Sequence, residues 1–216
     1  MNPVKSNKIL AKILISSFIG LLVTVIIITI WESFKSDDLL NSYSRNETYE
    51  AFIVIRILLY FITSIIFIIW FYRAYKNLEN IDTPLQYKKS WAIGGWFIPI
   101  ISFFYPKVIM NEIWTNTQVS SDQNYIKPTT YVTIWWSLFL ISNILPIILM
   151  RFSNSFSISE YLTYNLFSNL LTMIAISSTI YLVKTLSGFE TYLFNKYEKF
   201  VNSDEFQELI KEKDNI

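Results

Sequence analysis

Four long apolar runs constrain this chain more than anything else in it. They are Ile9–Trp31, Ala51–Tyr72, Tyr131–Met150 and Tyr161–Val183. Each is long enough to cross a bilayer, which takes about 20 helical residues at roughly 1.5 Å of rise apiece. A water-soluble domain of 216 residues with 52% hydrophobic residues would need shorter helices to bury such runs. The expectation is therefore an all-α integral membrane protein with four transmembrane helices, spans 9–31, 51–72, 131–150 and 161–183.

Lysine and arginine gather on the cytoplasmic side of membrane proteins, and this sets the orientation. With the N-terminus inside, fourteen of these residues fall inside, against Lys35, Arg45 and Arg151 outside and Arg56 within the second span. If Trp91–Tyr105 also crossed, the tally would be eight against nine. That segment is also short and is interrupted by Gly94, Gly95 and Pro99. A re-entrant or interfacial segment on the cytoplasmic side, residues 91–114, is the reading that follows. Residues 1–187 then form the membrane domain, and 188–216 an amphipathic helical tail in the cytoplasm. The first run is too long for a signal-peptide core and is followed by no small-residue cleavage pattern, so it reads as a retained helix. Abundant Ile, Asn and Lys suggest a bacterial chain, placed in the cytoplasmic (inner) membrane as a multi-pass protein with both termini inside.

The chain has neither cysteine nor histidine. Thiolate chemistry, disulfides, His- or Cys-based metal sites and His-dependent nucleophilic triads are thereby excluded. A carboxylate-only Mg²⁺ or Ca²⁺ site stays open. The acidic first loop, Glu32–Glu50, lacks the spacing of a cation loop and reads as a solvated hairpin. No metal, cofactor or catalytic residue is assigned, and a net charge of +1 gives no reason to expect nucleic acid as a partner.

The stretch from Trp70 to Trp114 is neither a span nor an ordinary loop. The second helix should continue as FYRAYKNLENI and stop before Thr83-Pro84. Arg73 and Asn77, four apart, share a face of it. Arg73 is expected either to snorkel or to pair with Glu112 as an electrostatic clamp. Pro106 suits a first helical turn. Beyond it Ile109, Met110, Ile113 and Trp114 form one face, as in a helix lying in the headgroup plane. Trp70, Trp91, Trp96 and Trp114 read as interfacial anchors, since tryptophan gathers at bilayer surfaces. A binding site, if present, would use Arg73, Asn77, Trp91, Trp96, Pro99, Glu112 and Trp114, with the tryptophans as its apolar wall and Pro99 as its turn.

Polar residues also occur at lipid depth. Asn143 and Asn169 lie at similar distances from their helix ends and are expected to face each other or share a partner. Asn165, Asn169, Thr172 and Thr179 read as interhelical hydrogen-bonding positions. Arg56 is near enough to the outer surface to snorkel, and Pro146 should bend the third span. Asn202 and Glu205 resemble a capping box that starts a last short helix.

Three pieces carry a family resemblance: WFYRAYKNL (Trp70–Leu78), WAIGGWFIP (Trp91–Pro99) and PKVIMNEIW (Pro106–Trp114). In order and spacing they resemble the bacterial domain of unknown function 4328 family of small multispan membrane proteins. The resemblance implies a membrane module with a cytoplasmic-side signature and brings no catalytic residues. Similar proteins often carry a zinc ribbon at one end, which a chain without cysteine lacks.

Sequence therefore points to a non-catalytic membrane module that binds a partner protein or lipid at its cytoplasmic face. Candidate partners are the bilayer itself, anionic lipid headgroups meeting Lys88, Lys89 and Lys107, a membrane or cytoplasmic protein, and a second copy of the chain. The alternative is an oligomeric channel or small-solute transporter using the re-entrant segment as filter or gate. Against it, none of the four apolar runs contains Asp or Glu, and ion-coupled carriers usually need one.

Overall fold

The computed structural model describes residues 3–34, 47–151 and 158–203. Their regular structure is helical: α1 (Lys8–Phe34), α2 (Glu47–Glu79), the single turn α3 (Trp91–Gly94), a 3₁₀ turn (Ile101–Phe103), α4 (Tyr105–Ser120), α5 (Thr130–Met150) and α6 (Ile158–Val201). Among the described residues α1, α2, α5 and α6 are long and apolar enough to cross a membrane. These four contain the four expected spans. Trp91–Tyr105 forms no helix longer than the four residues of α3, so the broken segment adds no fifth long helix.

The long helices overrun the apolar runs. At about 1.5 Å per residue, the 44 residues of α6 extend some 66 Å, roughly twice the hydrocarbon thickness. It passes through Gly188 without a break, so no helix boundary separates residues 1–187 from a tail. Glu32 belongs to the last turn of α1 rather than to a loop. The expected helix beginning at Asn202 falls largely outside the described residues, and so does most of the expected first loop, residues 35–46.

The chain divides into two compact units. One comprises Ile13–Ile66 and Thr133–Leu182. Its core joins Leu21 and Val25 of α1 to Ile176 of α6, with Leu22, Leu59 and Met173 packed around them. Trp135 Nε1 donates to Thr179 Oγ1 at 3.1 Å, giving a buried indole its acceptor. Pro146 lies within α5, and its carbonyl accepts from the Tyr164 hydroxyl at 2.9 Å. Asn143 and Asn169 do not share a partner as expected. Asn143 accepts from Tyr60 and donates to the Phe139 carbonyl, while Asn169 donates to Glu32. Equal depth is no guarantee of contact, because rotation about each helix axis also decides what a side chain meets.

The other unit comprises Met1–Lys12, Phe67–Val132 and Val183–Ile216. Its core is rich in aromatics: Trp70, Phe71, Tyr75 and Trp114 are fully buried, together with Ile109, Met110 and Ile113. This corrects two expectations. Trp70 and Trp114 are core residues rather than interfacial anchors. The apolar face of α4 is turned into protein, where Trp114 meets Phe189 edge-on, with ring centroids 5.4 Å apart. Of the Lys and Arg among the described residues, twelve lie in this unit and only Arg56 and Arg151 in the other.

Candidate functional site

In the aromatic unit, polar side chains on the helices hold three stretches of non-helical backbone. The first is the N-terminal strap. Trp70, Arg73, Asn77 and Asn80 recur every three or four residues and so share one face of α2. Arg73 Nη2 donates to the Ser6 carbonyl at 2.9 Å. Asn77 accepts from Lys5 N and donates to Lys5 O, both at 2.9 Å. Asn80 donates to the Pro3 carbonyl at 3.0 Å. At the base of the strap, buried Asn7 donates to Glu190 Oε1 at 2.6 Å and Trp70 Nε1 donates to Glu190 Oε2 at 3.2 Å.

Glu112 organises the second stretch. Its Oε1 accepts from Gln86 N at 2.7 Å and its Oε2 from the Tyr75 hydroxyl at 2.6 Å. Lys89 pairs with Glu79 at 2.5 Å, and that hydrogen bond raises its pKa above the usual lysine value. In the third stretch, Trp114 Nε1 donates to the Lys127 carbonyl at 2.9 Å, and Gln118 Oε1 accepts from Lys127 N at 2.7 Å.

Between the second and third stretches the chain makes its excursion. Trp91 packs against Tyr105 with centroids 5.1 Å apart. Trp96 packs edge-on against Phe67 and Phe71 at 5.5 and 5.7 Å. Gly95 fits closely between these anchors: a Cβ there would come within 2.8 Å of the Trp91 carbonyl oxygen and 3.1 Å of Tyr105 Cβ. The segment past Gly95 then projects its apolar side chains outward. Phe97 is 69% exposed, Ile100 74% and Phe104 62%, with Ile98 and Phe103 also exposed.

The backbone beneath these side chains is largely self-paired. Amides of Trp96, Phe97, Ile101, Ser102, Phe103 and Phe104 donate to carbonyls of residues 93–101, while those of Ile98 and Ile100 have no backbone acceptor among the described residues. Pro99 has no amide to satisfy. Ile101 N reaches the Pro99 carbonyl at 2.7 Å across Ile100, whose φ of 66° and ψ of −53° make a γ-turn of the strained kind. A β-branched residue at such a φ costs on the order of 1–3 kcal/mol. Local self-pairing of this kind is what non-helical backbone needs in order to leave water.

The sequence-expected site residues thus have defined places, though they form no single pocket. Arg73 and Glu112 are not the expected electrostatic pair: Arg73 binds the Ser6 carbonyl, and Glu112 binds Tyr75 and the Gln86 amide. The tryptophans do not make one wall, since Trp91, Trp96 and Trp114 pack in separate aromatic groups. Pro99 does sit in a turn, as the residue that accepts across Ile100. Asn77 shares its helix face with Arg73 as expected, and its partner is backbone.

Sequence reasoning missed Asn7, Tyr75, Asn80, Gln118 and Glu190. Asn80 could have been found by extending the spacing of Trp70, Arg73 and Asn77 one step further. Glu190 stands out as a lone carboxylate among apolar neighbours in SGFETYLF.

Comparison with known proteins gives one result. The family model described as "Domain of unknown function (DUF4328)" matches residues 42–190, and the chain belongs to that family. No curated protein and no solved structure matches the chain. The matched range contains all three quoted sequence pieces and ends on Glu190.

Proposed function

We propose that this member of the domain of unknown function 4328 family is a non-catalytic, multi-pass membrane module. In this reading it seats residues 95–104 as an apolar wedge in the cytoplasmic leaflet and meets anionic lipid headgroups beside it. The observation that carries the proposal is the wedge itself: five exposed apolar side chains on largely self-paired backbone, anchored by Trp91 and Trp96. Fully burying a side chain of this size contributes roughly 1.5–3 kcal/mol. Even partial insertion of five therefore outweighs the strain at Ile100. Left in water, the same patch would invite aggregation.

Charge supports the same side of the membrane. Among the described residues, twelve Lys and Arg in the aromatic unit against two in the other is the bias expected of a cytoplasmic face. Lys88 is exposed close to the wedge in sequence, and a lysine near an anionic surface contributes about 1 kcal/mol. Lys89 is held by Glu79 and is less free to do so.

The absence of native cysteine makes the test clean. Single cysteines at Ser42, Gln123 and Ser203 are labelled in intact cells with an impermeant maleimide. Reaction at position 42 alone, with 123 and 203 reacting only after lysis, is expected. Labelling of 123 and 203 in intact cells would mean that the broken segment crosses the membrane, and the wedge reading would fail.

A further inference from the structure

The unit formed by Ile13–Ile66 and Thr133–Leu182 holds a cleft of about 190 Å³ lined by Thr29, Glu32, Ser33, Leu162, Thr163 and Leu166. Thr29, Glu32 and Ser33 lie on one face of the last turns of α1. Leu162, Thr163 and Leu166 belong to the second and third turns of α6. We propose that this cleft binds a primary ammonium group carried on a short apolar stem.

The hydroxyl protons around the cleft all point at backbone. Thr29 Oγ1 donates to the Val25 carbonyl, Ser33 Oγ to Thr29, and Thr163 Oγ1 to Ser159, each at 2.8 Å. A hydroxyl has one proton and two lone pairs. With the protons directed at backbone, the three hydroxyls have only acceptor capacity left for the cleft.

Glu32 extends the same pattern. Its Oε1 accepts from the Tyr49 hydroxyl at 2.8 Å and its Oε2 from Asn169 Nδ2 at 3.1 Å. A carboxylate has about four acceptor positions, so two donors hold it in place and leave room for a third partner. Asn169 is buried and anchors the carboxylate from α6. One carboxylate and three hydroxyl oxygens make a lining that accepts and cannot donate.

Such a lining selects a cationic donor. Ca²⁺ takes about 6–8 oxygen ligands, more than one carboxylate and three hydroxyls supply, and Arg56, within Coulomb reach of Glu32, opposes a dication more strongly than a monocation. The cleft is also larger than an ion, several times the roughly 30 Å³ that a water occupies. Leu162 and Leu166 provide an apolar side for a short alkyl stem. A primary ammonium offers three N–H donors, which match Glu32 and two hydroxyls, whereas a quaternary ammonium offers none. The same group could arrive on an aminophospholipid headgroup or on a free small amine.

The test uses the full chain in nanodiscs with Leu166→Cys as the only cysteine, read by its rate of reaction with a small methanethiosulfonate. In discs of phosphatidylcholine alone, n-propylammonium is expected to protect the thiol, and tetramethylammonium at equal concentration is not. Protection in discs containing phosphatidylethanolamine, without added amine, would identify the lipid as the source. Protection only by added amine would identify the free ligand. Adding Glu32→Gln should abolish protection. Thr163→Val, which keeps the shape and removes one acceptor, should weaken it by about tenfold. Either unchanged protection in both variants, equal protection by tetramethylammonium, or no protection by amine or lipid would overturn the proposal.

Discussion

Asn77 and Lys5 exchange two hydrogen bonds of 2.9 Å, the side-chain amide of one matching the backbone amide and carbonyl of the other. A helix here reads a non-helical segment through its peptide group, as one strand reads another. Each bond contributes about 0.5–1.5 kcal/mol. Asn77→Ala should therefore raise hydrogen exchange of the amides at residues 4–7 by about tenfold. Unchanged exchange there would mean that Arg73 and Asn80 hold the strap without it.

Gly94 and Gly95 are adjacent in sequence and opposite in expected effect. A Cβ on Gly94 meets only Trp91 at 3.9 Å, an ordinary contact, whereas one on Gly95 strikes backbone oxygen at 2.8 Å. Gly95→Ala should destabilise by about 1–3 kcal/mol in detergent unfolding, and Gly94→Ala by less than about 0.5 kcal/mol. Equal effects would contradict the close approach of Trp91 and Tyr105 at Gly95.

Glu190 is 5% exposed, accepts from two donors and faces the charge of Arg73. Glu190→Ala leaves Asn7 Nδ2 and Trp70 Nε1 buried with no acceptor, at about 1–3 kcal/mol each. Glu190→Gln keeps an acceptor for Trp70. After a flip of the Asn7 amide it also presents a donor to Asn7 Oδ1, which now has no partner. The Ala variant should thus unfold at clearly lower temperature than the Gln variant. Identical melting would remove Glu190 from any part in joining strap and helices.

Trp114→Phe keeps a ring against Phe189 and removes the donor to the Lys127 carbonyl. Gln118 holds the Lys127 amide at the same place, so the loss is readable as hydrogen exchange of that amide. In the variant the Lys127 amide should exchange about fivefold faster under native conditions, given a bond of about 1 kcal/mol. Melting temperature should move little. An unchanged rate would assign that loop's position to Gln118 alone.

What the sequence disclosed and what it withheld follow from what letters can encode. The long apolar runs locate α1, α2, α5 and α6 because hydrophobic length is a property of the letters themselves. The broken character of 91–104 was legible in the same way, from Gly94, Gly95 and Pro99. Partners were not. Arg73 was matched to Glu112 because opposite charge is the pairing that letters advertise, yet its acceptor is the Ser6 carbonyl. Glu112, Trp114 and Gln118 likewise bind backbone of residues 86 and 127, and every residue has such groups. The face of α4 illustrates a second limit. Its spacing correctly marks Ile109, Met110, Ile113 and Trp114 as one apolar stripe, but amphipathic spacing does not say whether protein or lipid covers it.

The central claim is that the Ile100 tip lies in lipid, and spin-label depth measures that directly. A nitroxide at Ile100→Cys, with Asp122→Cys as reference, is read in vesicles containing anionic lipid by relaxation with oxygen and with a water-soluble nickel chelate. The label at 100 should be relaxed by oxygen and shielded from nickel, while the label at 122 shows the reverse. Equal nickel access at both positions would place the wedge in water and contradict the account.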